Sequence, residues 1–327
     1  MLTVHPVLDL EGLKLLRAVE EPAYAADFVA LPADPIEEKL PGLGGKEIAG
    51  QRHFQHVALR DGEPVGTVGL DVPTRDNLTA VTVDIIVHPA QRRQGIGRQL
   101  TAWALEEAAR LGRSRIWFSA HSPLDGRGPG EPLLRQIGAK PGLVECRRLL
   151  DLASVELLPK SDVAEGYRIE QWTDEGAPDH LVDGVAYLEG RMSTDAPSGE
   201  INLEPEVWDA ARVREKEAHG RESGRLHLVT VTVHEATGAV AGLTEIAVSR
   251  SRPDVAYQWE TIVDPLHRGH RLGLALKTWN HQLLVERSPG TRYVNTWNAD
   301  SNTFMVSVNE QCGFRLAERW TQWELDL

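Results

Sequence analysis

One segment constrains this chain more than any other, and it occurs twice. Val83-Asp84-Ile85-Ile86-Val87-His88-Pro89 leads into Ala90-Gln91-Arg92-Arg93-Gln94-Gly95-Ile96-Gly97, and Trp259-Glu260-Thr261-Ile262-Val263-Asp264-Pro265 leads into Leu266-His267-Arg268-Gly269-His270-Arg271-Leu272-Gly273. Each copy reads as an apolar strand, a short Arg/Gly-rich loop and the start of a helix. The first amides of a helix lack acceptors, and the helix dipole favours an anion beside them. Each copy is therefore a cradle for phosphate.

The copies stand 176 positions apart, and this offset holds without a gap from Gly62/Gly238 through Gly66/Gly242, Ala80/Ala256, Pro89/Pro265 and Gly97/Gly273 to Trp103/Trp279. Chance matches about one position in fifteen at ordinary residue frequencies, and here roughly a quarter agree. The matches include the glycines and prolines that set backbone geometry, so the chain is a tandem duplication. Its 327 residues suffice for two domains, each with its own core. The expected boundaries are 1–152, a polar linker at 153–166, and 167–327.

A net charge of −13 argues against a nucleic-acid partner and suits a cationic, amine-bearing one. Cys146 and Cys312 provide no disulfide framework and suit a reducing compartment. The start, Met1-Leu2-Thr3-Val4-His5-Pro6, lacks the features of a signal peptide, and no apolar run approaches a membrane span. The expectation is a cytoplasmic protein, monomer or homodimer, with no membrane partner.

Alternation and turn signals place strands at Leu2–Val7, Arg52–Leu59, Pro64–Val72, Ala80–Val87, Arg115–Ser119 and Val144–Leu150. Helices are expected at Glu11–Val19, Pro35–Leu40, from Ile96 to Ala108, and just before Gly138. The second half repeats this order, with strands at Tyr167–Trp172, His227–Val233, Val240–Val248, Tyr257–Val263, Tyr293–Trp297 and Arg315–Leu327. Its helices fall at Asp179–Arg191, Glu204–Ala218, Leu272–Val285 and Asn302–Gln311, and residues 192–199 read as a polar loop with no counterpart.

This order, with Arg92-Arg93-Gln94-Gly95-Ile96-Gly97 after Val87-His88-Pro89, resembles the GNAT acetyltransferase superfamily. The signature there is Arg/Gln-x-x-Gly-x-Gly/Ala. Arg268-Gly269-His270-Arg271-Leu272-Gly273 matches its ends and carries Arg271 in place of the inner glycine. The doubled arrangement resembles the tandem group that includes mycothiol synthase. The fold class implied is α/β, a mixed α+β sheet: two tandem acyl-CoA-binding folds, each a mostly antiparallel sheet flanked by helices.

The resemblance implies acetyl-CoA, or another acyl-CoA, as co-substrate and no metal. Its pyrophosphate would lie on Arg92, Arg93, Gln94, Gly95, Ile96 and Gly97, and on Arg268, Gly269, His270, Arg271, Leu272 and Gly273. Glycines admit the phosphates closely, and arginines are expected to add charge-assisted contacts. The pantetheine arm would run along Ile86 and Val87, and along Ile262 and Val263, with Asn298 and Asn302 bonding its amides in the second half.

Asp84 and Glu260 occupy the strand place where the family often sets a carboxylate to take a proton from the acceptor amine. The usual tyrosine acid is absent: Asn309 stands four residues before Gly313-Phe314, and Leu134 four before Gly138. The first half has the better phosphate loop and the second the fuller reaction centre, so transfer to a small-molecule primary amine is expected in the second, by direct attack. The rival reading is a non-catalytic acyl-CoA-binding or assembly protein. A dinucleotide fold fails on spacing, since Leu100 stands where a third glycine belongs. His267 and His270 find no third ligand at metal spacing.

Overall fold

The structure is a computed structural model describing residues 1–327. Its elements run β1 (Leu2–Pro6), α1 (Leu10–Asp27), α2 (Ile36–Lys39), β2 (Glu47–Ile48), β3 (Gln51–Arg60), β4 (Glu63–Pro73), β5 (Ala80–Val87), α3 (Ile96–Arg110), β6 (Arg115–Ser122), α4 (Glu131–Gln136) and β7 (Lys140–Asp151). There follow β8 (Tyr167–Trp172), α5 (Val182–Asp195), α6 (Ala210–Glu222), β9 (Arg225–His234), β10 (Val240–Ser249), β11 (Val255–Val263), α7 (Leu272–Arg287), β12 (Tyr293–Ala299), α8 (Thr303–Gln311) and β13 (Arg315–Asp326).

Two compact units form. Unit 1 holds residues 1–145, 198–203 and 318–327; unit 2 holds residues 146–197 and 204–317. Unit 1 orders its strands β1-β3-β4-β5-β6 and ends on the tail of β13, whose Arg319–Asp326 pair antiparallel with Ser122–Arg115. Unit 2 orders them β8-β9-β10-β11-β12 and ends on β7. Each unit thus has the mostly antiparallel sheet expected, with one parallel pair, β5–β6 or β11–β12. The last ten residues, which sequence reading places with the second half, belong to unit 1. An alternating pattern marks a strand but says nothing of which sheet receives it.

The cores follow from the periodicities. In unit 1, Val81 and Val83 of β5 and Val68 and Leu70 of β4 pack on Ile96, Leu100, Ala104 and Ala108 of α3. In unit 2, Ile246, Val248 and Ala256 pack with Leu284 of α7, Val294 of β12 and Leu150 of β7. Gly66 and Gly242 make the two close approaches of helix to sheet: a Cβ there would stand 2.7 Å from Leu100 and 2.9 Å from Leu276.

Three elements depart from expectation. Helix α1 continues past Pro22 to Asp27, because burial of Ala23 and a cap from Phe28 N–H to Tyr24 offset the missing donor. Helix α5 extends through Met192–Asp195, which the sequence reads as polar loop; Ser193 Oγ donates to Gly190 O at 2.7 Å and Arg191 pairs with Asp195 at 2.5 Å. Helix α6 starts only at Ala210, because Asp209 accepts from Arg212 N–H at 2.8 Å and sets the cap there. No helix is long and apolar enough to cross a membrane.

Candidate functional site

Each unit contains a strand split. Strands β5 and β6 pair only from Ala80/Arg115 to Val83/Phe118, and β11 and β12 only from Val255/Tyr293 to Gln258/Thr296. Beyond these points β5 keeps β4 on one edge, through Asp84, Ile85, Ile86 and Val87, and its other edge is left without a strand. Glu260 to Val263 of β11 stand likewise beside β10. An extended amide-bearing arm can pair along such an edge. Ile86, Val87, Ile262 and Val263 lie on these unpaired edges.

The loop after each split has one backbone design. Two residues are left-handed: Arg93 (φ 65°) and Gly95 (φ 80°) in unit 1, Gly269 (φ 87°) and Arg271 (φ 57°) in unit 2. The glycine and the arginine have exchanged places between copies, and the turn survives. Arg271 therefore preserves the cradle at a conformational cost of roughly 1–2 kcal/mol. No side chain caps α3 or α7, whereas Asp9, Asp209 and Asn302 cap α1, α6 and α8. A Cβ added at Gly95 or Gly269 meets nothing within 4 Å. Open space before an uncapped helix start fits a pyrophosphate.

The first arginine of each signature has another task than the phosphate contact expected. Arg92 donates through Nε to Val87 O at 3.1 Å and grips both oxygens of Asp27 at 2.7 and 2.6 Å. Arg268 donates to Val263 O at 3.1 Å and to Asp195 at 2.9 Å. Asp27 and Asp195 are the last residues of α1 and α5. Each arginine thus ties the strand end to a helix end and braces the loop. Arg93, Gln94, His270 and Arg271 are exposed on the cradle, with Ile96, Gly97, Leu272 and Gly273 opening the helices behind them. His267 bonds Tyr167 OH at 2.9 Å.

Facing the splits, each unit carries an acid–base cluster that the motifs did not disclose. In unit 2, Lys216 Nζ lies 2.9 Å from Glu189, 3.1 Å from Glu245 and 3.4 Å from Glu260. His227 Nδ1 bonds Glu245, and Glu260 Oε2 is buried with no partner. Burial and the neighbouring Glu260 and Glu245 push Glu189 up, against Lys216. Burial also raises Glu245, but Lys216 and His227 outweigh it and hold its carboxyl low. Burial opposes the Lys216 charge, yet the three carboxylates keep it firmly protonated. A cavity lined by Trp172, Asp174, Glu189, Lys216, His227 and Glu245 opens onto this cluster.

Unit 1 repeats the parts with different joints. Lys39 pairs with Glu20 at 3.0 Å, His53 Nδ1 with Asp71 at 2.6 Å, and Asp84 has no hydrogen-bond or ion-pair partner. Asp84 is embedded in dense protein and still solvent-exposed, the situation of a group on a cleft floor. Burial, with Asp71 and Glu20 adding and Lys39 opposing, raises its pKa to about 7. His53/His227 and Lys39/Lys216 stand 174 and 177 positions apart, off the constant offset of 176, so the repeat does not pair them in the sequence.

The asparagines are engaged within unit 2. Asn298 Oδ1 accepts from Arg148 and from Asn309 Nδ2, both at 3.0 Å, and Asn302 accepts from Met305 N–H at 3.2 Å as the cap of α8. Asn309 is buried and offers an amide, with no acidic proton, in the place of the family's tyrosine. Burial raises the Cys312 thiol, and Cys146 Sγ bonds Asp300 at 3.3 Å; neither is placed as a nucleophile.

Comparison with known proteins bears on the family and the fold. The Acetyltransferase (GNAT) family model matches residues 17–125. The mycothiol acetyltransferase of Saccharomonospora viridis is 26% identical over 97% of this chain and 96% of its own length. That of Mycobacteroides abscessus is 31% identical over 44% of this chain, a match spanning less than half (43%) of that protein. A tandem GNAT protein from the clavulanic acid biosynthesis pathway superposes with a TM-score of 0.84 at 27% identity, covering 100% of this chain and 98% of its own. A GCN5-related N-acetyltransferase from Sphaerobacter thermophilus, at 16% identity and a TM-score of 0.70 over 99% and 95% of the two chains, shares the fold. Residues 17–125 thus match the GNAT acetyltransferase family, whose co-substrate is acetyl-CoA, and over its whole length the chain is similar to mycothiol acetyltransferases and to a tandem GNAT protein.

Proposed function

We propose that the protein acetylates a primary amine of a small molecule, with the reaction centre in unit 2. The observation that carries this reading is the carboxylate cluster about Lys216, which links Glu260 of the splitting strand to a cavity lined by Glu189, Lys216 and Glu245. Three carboxylates against one lysine and one histidine leave a surplus that favours a cationic acceptor. The relatives are named for mycothiol; a small polar amine of comparable kind suits a cavity lined by Trp172, Asp174 and Glu189.

Bound acetyl-CoA supplies the thioester carbon. An amine reaches the site as ammonium and must lose a proton before it attacks. Glu260 Oε2, buried and without a donor, is the acceptor of that proton, while Lys216 holds Oε1 and fixes the carboxylate. Glu189, its proton affinity raised by burial, is the next station. The amine attacks directly, and water returns a proton to the departing thiolate, since Asn309 has none to give. Glu260→Gln should lower kcat/KM for amine acetylation by about 10²-fold with CoA affinity nearly intact, the typical contribution of one positioned base. Full turnover in that variant refutes the assignment to unit 2.

A further inference from the structure

Asp84 differs from its counterpart Glu260 in what stands across the sheet. Strands β4 and β5 pair in unbroken register, which places Gly69 opposite Asp84. A Cβ at Gly69 would lie 3.7 Å from Asp84 Cβ and 3.4 Å from the Gln55 amide, so glycine leaves the carboxylate with no side chain directly across the strand pair. In unit 2 the register slips between Thr244 and Ile246, and the bulged residue is Glu245, which fills the equivalent place with a second carboxylate. Bulges re-aim side chains in this way. The neighbours that could neutralise Asp84 are engaged by others, Lys39 by Glu20 and His53 by Asp71.

The surroundings continue the site. Asp84 is the first β5 residue past the split, and His121, next to last in β6, stands on the other bank. Phe28 meets the His121 ring edge-on at 4.6 Å and stacks on Trp320 at 5.4 Å, a partly exposed aromatic wall. Aromatic faces attract organic cations. The loop below is braced by Arg92 and carries glycine at both 95 and 97.

We propose that unit 1 is a second acyl-transfer centre, with Asp84 as its proton acceptor and a small ammonium with an apolar or aromatic body as its acceptor substrate. The proposal goes beyond the assignment to unit 2 and does not depend on it. Asp84 takes one proton from the ammonium and passes it to water. The amine nitrogen bonds the acyl carbon, the carbon–sulfur bond breaks, and the thiolate leaves with the second proton of the nitrogen. The products are an amide and the free thiol of CoA. A proton affinity near neutral suits an acceptor that must be charged and uncharged in turn, and Asp84 has one.

The test uses the full chain, acetyl-CoA and a panel of aliphatic, arylalkyl and amino-sugar amines. Thiol release and product mass are followed from pH 5.5 to 9 in four forms: parent, Glu260→Gln, Asp84→Asn and the double variant. The expected result is residual transfer in Glu260→Gln that rises with pH to a midpoint near 7, and a further loss of about 10²-fold in the double variant. Asp84→Asn is isosteric, and CoA binding by calorimetry confirms that the variants remain folded. Gly69→Val, which sets a branched side chain between Asp84 and Gln55, should raise KM for the bulkier amines of the residual activity with little change in CoA affinity. No transfer in Glu260→Gln, residual transfer indifferent to Asp84→Asn, or no amine acetylated by any form overturns the proposal. Transfer unaffected by Glu260→Gln and abolished by Asp84→Asn upholds it and removes the assignment to unit 2 instead.

Discussion

Units 1 and 2 keep the same backbone and have redistributed its residues. Both loops need two left-handed positions; one pair is Arg93 and Gly95, the other Gly269 and Arg271. Both splits face a lysine, a histidine–carboxylate pair and a strand carboxylate. In unit 1 these are joined in separate pairs with Asp84 left open; in unit 2 one bulged residue, Glu245, draws them around Lys216. Duplicated domains thus preserve what the backbone requires and vary how the charges are connected. The connection decides which carboxylate is free to accept a proton.

The comparison breaks first, if it breaks, at the lysines. Lys216→Met leaves three carboxylates around an uncharged stem, and removing one partner of a buried pair costs about 3–5 kcal/mol. Lys39→Met strands Glu20 and removes the positive charge that Asp34 also feels, and should cost less than loss of the three-carboxylate partner Lys216 in the same denaturant titrations. Equal losses would mean that the two clusters are energetically alike. The braces come next. Arg92→Ala removes a two-pronged grip on Asp27 and should destabilise by about 2 kcal/mol. Arg268 is the more exposed and holds Asp195 by one bond, so Arg268→Ala should be milder.

Arg271→Gly tests the exchanged positions. Glycine at φ 57° relieves the left-handed strain, so the variant should gain up to about 1 kcal/mol and bind CoA more tightly in unit 2. Weaker CoA binding would instead show that the Arg271 guanidinium holds phosphate. A last test concerns pH. An unfolded aspartate titrates near about 3.9, and folded Asp84 near about 7. Between these values the folded state keeps a proton the unfolded state has lost, so stability falls as pH rises through that window. Asp84→Asn removes the penalty, and its Tm relative to the parent should grow from pH 5 to pH 8. Parallel Tm curves would place Asp84 in ordinary solvent.

What was legible in the sequence was local. The strand, turn and helix at 83–97 and at 259–273 depend on neighbours in the chain, so alternation, glycines and prolines announced them, and the constant offset announced the duplication. Residues that lie within those segments, such as Asp84, Glu260, Gly95 and Arg271, stand out from the order of amino acids alone. The internal roles of Arg92 and Arg268 do not, because Asp27 and Asp195 stand 65 and 73 residues from them.

Tertiary structure alone decided the rest. Lys216 lies on α6, Glu189 on α5, Glu245 on β10 and Glu260 on β11; no spacing rule relates four elements, and only the packed sheet brings their charges together. A bulge is a mismatch between two strands, so Glu245 has no signature in either strand alone. The end of the chain makes the same point. Arg315–Asp326 reads as a strand in any context, but its tail completes unit 1 beside β6. Alternation determines which face of a strand is buried; pairing across a sheet is non-local, and its energy lies in partners far off in the chain.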